Sequence, residues 1–137
     1  HKAEYCMSEI ADPLAWVGRA EEDYAIAVAS LRRKRIWTYG ACFHAQQCAE
    51  KYLKAILVAH GQVFPKAHDL LTLNTLCEQA GILTGFDLIQ LDTLSAYAVR
   101  VRYPGEDPTP DEARQAVKIA KSVRQIARKW LDLNKPG

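Results

Sequence analysis

The sequence of 137 residues holds no run near the roughly 18 to 20 consecutive apolar residues a membrane-crossing helix needs, so no membrane partner is expected. It shows no basic start, apolar stretch and small-residue cleavage site of the secretory kind, and a cytoplasmic location is expected. Cysteine is sparse. Cys6, Cys42, Cys48 and Cys77 form no C-x-x-C pair and no zinc spacing. On a helix, Cys42 and Cys48 point about 120° apart. They read as small core residues of a reducing compartment, and no metal site is expected. There is no phosphate-binding Gly-rich loop, no H-E-x-x-H, no G-x-S-x-G and no EF-hand loop. No pair of carboxylates sits in an apolar segment where one could act as acid and the other as base, and no cofactor is expected. Strand signals, internal repeats, linkers and low-complexity tracts are missing as well.

What is present is ordinary globular material, 49% hydrophobic and 25% charged. A chain of this size hides roughly two-thirds of its unfolded surface, enough for a core without staples. It reads as one domain over residues 1–137. The net charge is +2, too small to indicate nucleic acid, but it is unevenly spread. Residues 1–31 carry six acids (Glu4, Glu9, Asp12, Glu21, Glu22 and Asp23) against Lys2 and Arg19, so the remainder carries +6. The densest basic piece is Arg32-Arg33-Lys34-Arg35, which reads as a solvated helix end that can also meet phosphate.

The periodicity is helical throughout. Asp12-Pro13 places a side-chain acceptor at the cap and proline in the first turn, opening a helix to about Arg33. A second helix runs from Thr38 to about His60, stopped by Gly61. One of its stripes is apolar (Ala41, Cys42, Ala45, Cys48, Ala49, Tyr52, Ile56). The adjoining stripe is mixed (Phe43, Gln47, Glu50, Lys51, Lys54, Leu57), which suits a bundle that keeps one groove open. His68-Asp69 opens a short third helix ended by Gly81. Phe86 starts a fourth that runs through Val101. Pro104, Gly105, Pro108 and Pro110 make a loop, and Thr109-Pro110-Asp111-Glu112 is a capping box for a fifth. Arg114, Lys118, Lys121, Arg124 and Arg128 are expected on the outer face of this last helix. The fold class is therefore all-α, an up-and-down bundle of about five helices.

Three clusters carry chemistry. Gln47, Glu50, Lys51 and Lys54 share one helix face at offsets 0, 3, 4 and 7. They read either as an exposed i, i+4 ion pair or as an amide and two ammoniums facing a nucleotide or RNA backbone. His68 and Asp69 stand at a helix entrance, where a histidine can cap, bind anions or titrate near neutrality. Arg100, Arg102 and Tyr103 stand at a helix end before the Pro-rich loop. The helix dipole favours cations there, and two guanidiniums make a natural phosphate clamp. Trp16, Trp37 and Tyr39 fall outside the periodic core and are candidates for an interface.

Together these residues resemble the HEPN family of prokaryotic helical domains. The resemblance rests on Ala20-Glu21-Glu22-Asp23, on the segment Tyr39 to Ala55 with its Gln46-Gln47-x-Ala49-Glu50-Lys51-x-Leu53-Lys54 core, on Lys66-Ala67-His68-Asp69-Leu70 and on Val101-Arg102-Tyr103-Pro104. It implies a helical bundle, commonly dimeric, that stands beside a separate minimal nucleotidyltransferase chain in a toxin–antitoxin-like pair. It also implies a metal-independent endoribonuclease activity in many members, from an Arg followed four to six residues later by His. The histidine moves a proton and the arginine stabilises charge on the phosphorus oxygens. The Glu50…Lys54 pair matches a Glu-x-x-x-Lys element of the family. Here, however, no histidine follows Arg102, and Glu106 and Asp107 put negative charge in its place. Tyr103 is the nearest hydroxyl to the tyrosine that some members have adenylylated, but it does not occupy that tyrosine's place.

The expected function is a nucleotide- or RNA-phosphate-binding HEPN homodimer paired with such a nucleotidyltransferase. Gln47, Glu50, Lys51, Lys54, His68, Asp69, Arg100, Arg102 and Tyr103 are its binding candidates. One alternative is a divergent metal-independent endoribonuclease in which Arg102 and His68 are the catalytic candidates. Another is a non-catalytic scaffold.

Overall fold

The computed structural model describes residues 12–64, 66, 69–100 and 104–133, the side chains of 98–100 excepted. Five helices follow one another, α1 (Pro13–Leu31), α2 (Thr38–Ala59), α3 (Leu70–Gln79), α4 (Leu88–Arg100) and α5 (Pro110–Trp130), with no strand among the described residues. The all-α up-and-down bundle of about five helices is thus the observed fold. None of these helices is long and apolar enough to cross a membrane.

Local chemistry sets most of the boundaries. Asp12 accepts from Leu14 N–H at 2.9 Å and Pro13 occupies the first helical position, where its missing N–H costs nothing. Asp69 accepts from Thr72 N–H at 3.2 Å and opens α3. Asp87 accepts from Ile89 and Gln90 N–H at the head of α4. Thr109 and Glu112 form the full capping box of α5. Gly61 and Gly81 close α2 and α3 at φ 68° and 82°, a left-handed conformation that lets the next N–H reach back five residues, Gln62 to Leu57 O and Ile82 to Cys77 O.

α2 is the central element. It packs along α1 and against α5, and also touches α3 and α4. α1 and α2 run antiparallel, because Trp37 N–H bonds Ser30 O near their junction while Trp16 lies close to Lys54 and Phe64 at the far end. The predicted apolar stripe of α2 is wholly buried, from Ala41 to Ile56, and so are Cys42, Cys48 and Cys77, all three as free thiols. Cys6 lies outside the described residues. Trp16, expected outside the core, is inside it at 5% exposure, edge-on to Phe64 with ring centroids 6.3 Å apart. Trp37 and Tyr39 do remain exposed, at 56% and 50%.

Candidate functional site

The mixed stripe of α2 does not line an open groove. Glu50 and Lys54 are buried at 3% and 2% exposure and paired with each other, Nζ to Oε2 at 3.0 Å. Trp16 and Phe64 close over the ammonium, their ring centroids 5.4 and 5.8 Å from Nζ. That enclosure turns an ordinary i, i+4 helix pair into a desolvated one. Gln46 donates to the other Glu50 oxygen at 3.4 Å, and Gln47 donates to Gln46 Oε1 at 2.9 Å. Of the groups expected to face a phosphate, the Lys54 ammonium is therefore engaged inside the molecule and the half-buried Gln47 amide is bonded to Gln46.

Lys51 is engaged too. Its Nζ donates to Asp23 Oδ2 at 2.5 Å, and His44 Nδ1 stands 2.7 Å from Asp23 Oδ1. Asp23 is 7% exposed, so one buried carboxylate of α1 holds two groups of α2. A carboxylate oxygen accepts, so Nδ1 is the His44 nitrogen that donates to Asp23. Phe43 meets the His44 ring edge-on at 5.1 Å. This Asp–His–Lys arrangement ties the two helices together through the buried Asp23 carboxylate. It acts as a clasp between α1 and α2.

A second clasp joins α1 to α5. Arg124 donates from Nε and Nη2 to the two oxygens of Glu21, at 2.6 and 2.9 Å. Tyr52 donates its hydroxyl to Glu21 Oε2 and receives Arg128 Nη1 at 3.4 Å. Arg128 Nη1 lies 3.7 Å from Glu21. The hydrogen bonds from Arg124 hold the Glu21 carboxyl below its ordinary value against the opposing pull of burial, with Tyr52 and Arg128 helping. Glu21 in turn raises the Arg124 guanidinium, and burial raises the Tyr52 hydroxyl. Arg124 and Arg128 are thus half-buried ion-pair partners rather than members of an outer basic row. Arg114, Lys118 and Lys121 are the part of that row that faces outward.

Asp69 uses its carboxylate to cap α3, accepting from Thr72 N–H and from Thr72 Oγ1 at 2.8 Å. Of the remaining candidates, His68, Arg102, Tyr103 and the side chain of Arg100 lie outside the described residues. The structure does describe the neighbouring ends of α3 and α4. Leu70 N–H, at the entrance of α3, donates to Ser95 Oγ of α4 at 3.3 Å. Among the described residues no group of three or more His, Cys, Asp or Glu side chains converges to hold a metal ion.

The residues sequence reading missed are Glu21, Asp23, His44, Tyr52 and Arg124. One signal was available for His44, which stands seven residues before Lys51 and so on the same helical stripe. Glu21, Asp23 and Tyr52 stand in segments that carry the family resemblance, but their pairings run across 21 to 103 residues of chain and left no local trace.

An all-helical bundle with charged clasps between its first two helices is a class that comparison with known proteins narrows further. The HEPN domain matches residues 14–130, and the chain belongs to that family. A protein of Methanocaldococcus jannaschii named "Putative toxin MJ1304" is 25% identical over 132 residues, covering 85% of this chain and 86% of its own. The crystal structure of TT1696 from Thermus thermophilus superposes with a TM-score of 0.68 at 27% identity, covering 86% of this chain and 97% of that one.

Proposed function

We propose that this chain is the HEPN member of a toxin–antitoxin-like pair, that it engages nucleotide or RNA phosphate, and that a separate minimal nucleotidyltransferase chain is its partner. The reading takes the protein as a cytoplasmic homodimer whose residues 1–137 form one domain. Similarity to a protein bearing the name of a toxin supports the first part.

The observation that carries the phosphate reading is the tie from Leu70 N–H to Ser95 Oγ. It holds the entrance of α3, two residues after His68, against α4. Ser95 precedes Arg100 by five residues, about 7.5 Å of helical rise. The arginines and the histidine that the family resemblance singles out belong to the segments leaving this junction. Since Gln47, Glu50, Lys51 and Lys54 are engaged by internal partners, the phosphate contact falls to Arg100 and Arg102, with His68 and Tyr103 beside them in the proposal. A guanidinium pair suits that task, because each offers a rigid fork of donors and stays charged at any working pH.

The same tie favours a second reading, a metal-independent endoribonuclease. In it His68 moves the proton of the attacking 2′-hydroxyl or of the leaving oxygen, and Arg102 stabilises charge on the phosphorus oxygens. An RNA-cleavage assay in EDTA separates the two. Cleavage lost in both Arg102→Ala and His68→Ala supports the ribonuclease. Absence of cleavage, with salt-dependent RNA binding that weakens in the Arg100→Ala, Arg102→Ala double variant, supports the binding protein. Binding and cleavage both indifferent to these changes would remove both readings.

A further inference from the structure

The turn between α1 and α2 carries the most unusual surface of the molecule. Arg32, Arg33, Lys34 and Arg35 are all exposed, and among the described residues none of them forms a salt bridge. Four like charges in sequence repel one another, and among the described residues no carboxylate offsets that cost. Directly after them come two large aromatic side chains turned outward, Trp37 and Tyr39. The Arg33 guanidinium carbon lies 3.5 Å from the centre of the Trp37 ring. Tyr39 is stacked on Phe43, the rings within 7° of parallel and 5.9 Å apart. The aromatic row is therefore held in place rather than loose.

Two open depressions meet at this row. One, of about 430 Å³, lies along α1 between Tyr24 and Arg33. The other, of about 370 Å³, is walled by Trp37 and Tyr39, with Asp107 on its rim. Arg33 borders the first and covers Trp37 of the second, so the two depressions lie on either side of the Arg33–Trp37 contact.

We propose that this surface binds single-stranded RNA, with bases stacked on Trp37 and Tyr39 and the backbone phosphates held by Arg32, Arg33, Lys34 and Arg35. Unpaired cations beside exposed ring faces are the two components by which proteins hold unpaired strands, the charge tracking phosphate and the rings accepting any base. An acidic protein can use cations and rings alike, and direct binding of an RNA probe is what separates the two occupants. Asp107 is an acceptor within reach of the second depression, suited to the exocyclic amine of cytosine. None of the residues lining the two depressions belongs to α3 or α4, Asp107 coming from the loop after α4, and the surface does not depend on the reading given to the α3–α4 junction.

The test is fluorescence anisotropy of a labelled 12-nucleotide single-stranded RNA with the full chain. Trp37→Ala is expected to weaken binding about five- to hundredfold, and Trp37→Phe, which keeps a ring, to restore most of it. Replacing Arg32, Arg33, Lys34 and Arg35 by Gln is expected to flatten the log–log salt dependence by roughly three units. Lys118→Gln with Lys121→Gln, which removes exposed charge elsewhere, is expected to leave that slope within one unit of wild type. Equal affinity of wild type and Trp37→Ala would overturn the proposal, as would an equal effect of the α5 control. Loss of all binding in Arg102→Ala, with Trp37→Ala unchanged, would overturn it while leaving the α3–α4 reading standing. Intact binding in Arg102→Ala with loss in Trp37→Ala supports this surface and counts against the other.

Discussion

Lys54→Met is the most incisive change the structure offers. The side chain keeps its length and its packing against Trp16 and Phe64 but loses the ammonium. Glu50, 3% exposed, then keeps the Gln46 amide at 3.4 Å and loses the cation at 3.0 Å. Breaking a buried pair from one side costs about 3–5 kcal/mol, because the remaining charge stays out of water without the cation that neutralised it. Unfolding entropy for a domain of this size turns that into a fall in Tm of roughly 10–17 °C. Urea unfolding followed by circular dichroism should show a lower midpoint at unchanged slope, since the surface exposed on unfolding is the same. The double change Lys54→Met, Glu50→Leu removes both charges and should recover most of the loss or exceed it. A single variant within about 1 kcal/mol of wild type would refute the reasoning, since that is what a solvated i, i+4 pair on an open groove would give.

Other consequences follow from the same geometry. Glu21 has a depressed folded-state pKa relative to its ordinary value of 4.5, so the stability it contributes is present above that value and is lost as pH falls through the folded one. The stability gap between wild type and Glu21→Gln should therefore be widest near neutrality and shrink below about pH 4.5, and a gap that grows on acidification would contradict the assignment. Thr109→Ala removes one half of the α5 capping box and should cost about 1 kcal/mol in thermal or urea melts, with Thr109→Ser close to wild type. Burial pushes the Cys77 thiol up to about 11, so in the folded protein at pH 8 only about 0.1% of it is thiolate, against roughly a quarter for a free cysteine. Native alkylation of Cys77, followed by peptide mass analysis, should be more than about a hundredfold slower than in urea; comparable rates would place the thiol outside the core.

The helices were legible because their ends are written locally. Asp12, Asp69 and Thr109 cap within three residues of themselves, and Gly61 and Gly81 supply the left-handed turn on the spot. The charged interior was not legible, because its partners lie far apart in the chain. Asp23 meets Lys51 across 28 residues and Glu21 meets Arg124 across 103. Even the pair that spacing did reveal, Glu50 with Lys54, gave no sign of its burial, which comes from Trp16 of another helix and Phe64 of a loop. The basic row of α5 misled in a similar way. Arg124 stands about 60° round the helix from Lys121, enough to turn it from solvent to Glu21.

These pairings bear on what the strongest motif of the sequence is for. Gln46-Gln47-x-Ala49-Glu50-Lys51-x-Leu53-Lys54 reads like a binding face, with its charges and amides at helical spacing. In the folded chain Gln46, Gln47, Glu50 and Lys54 are bonded among themselves, and Lys51 belongs to Asp23. Each cation has a carboxylate, so the face presents little net charge to a ligand. A site of that kind fixes the register of α1 on α2, because sliding either helix by one residue would strand Asp23, Lys51 and His44 together. Register is what a functional surface elsewhere requires. The tie between α3 and α4 and the aromatic turn at Trp37 both lean on α2, whose position the clasps determine. Replacing Asp23 by Asn keeps the shape and removes the charge that Lys51 and His44 share. If the motif is a positioning device, Asp23→Asn should lower stability and leave RNA affinity, measured well below the melting temperature, within about threefold of wild type, a difference of roughly 0.6 kcal/mol. A variant that folds as well as wild type but loses RNA altogether would return the motif to the binding site.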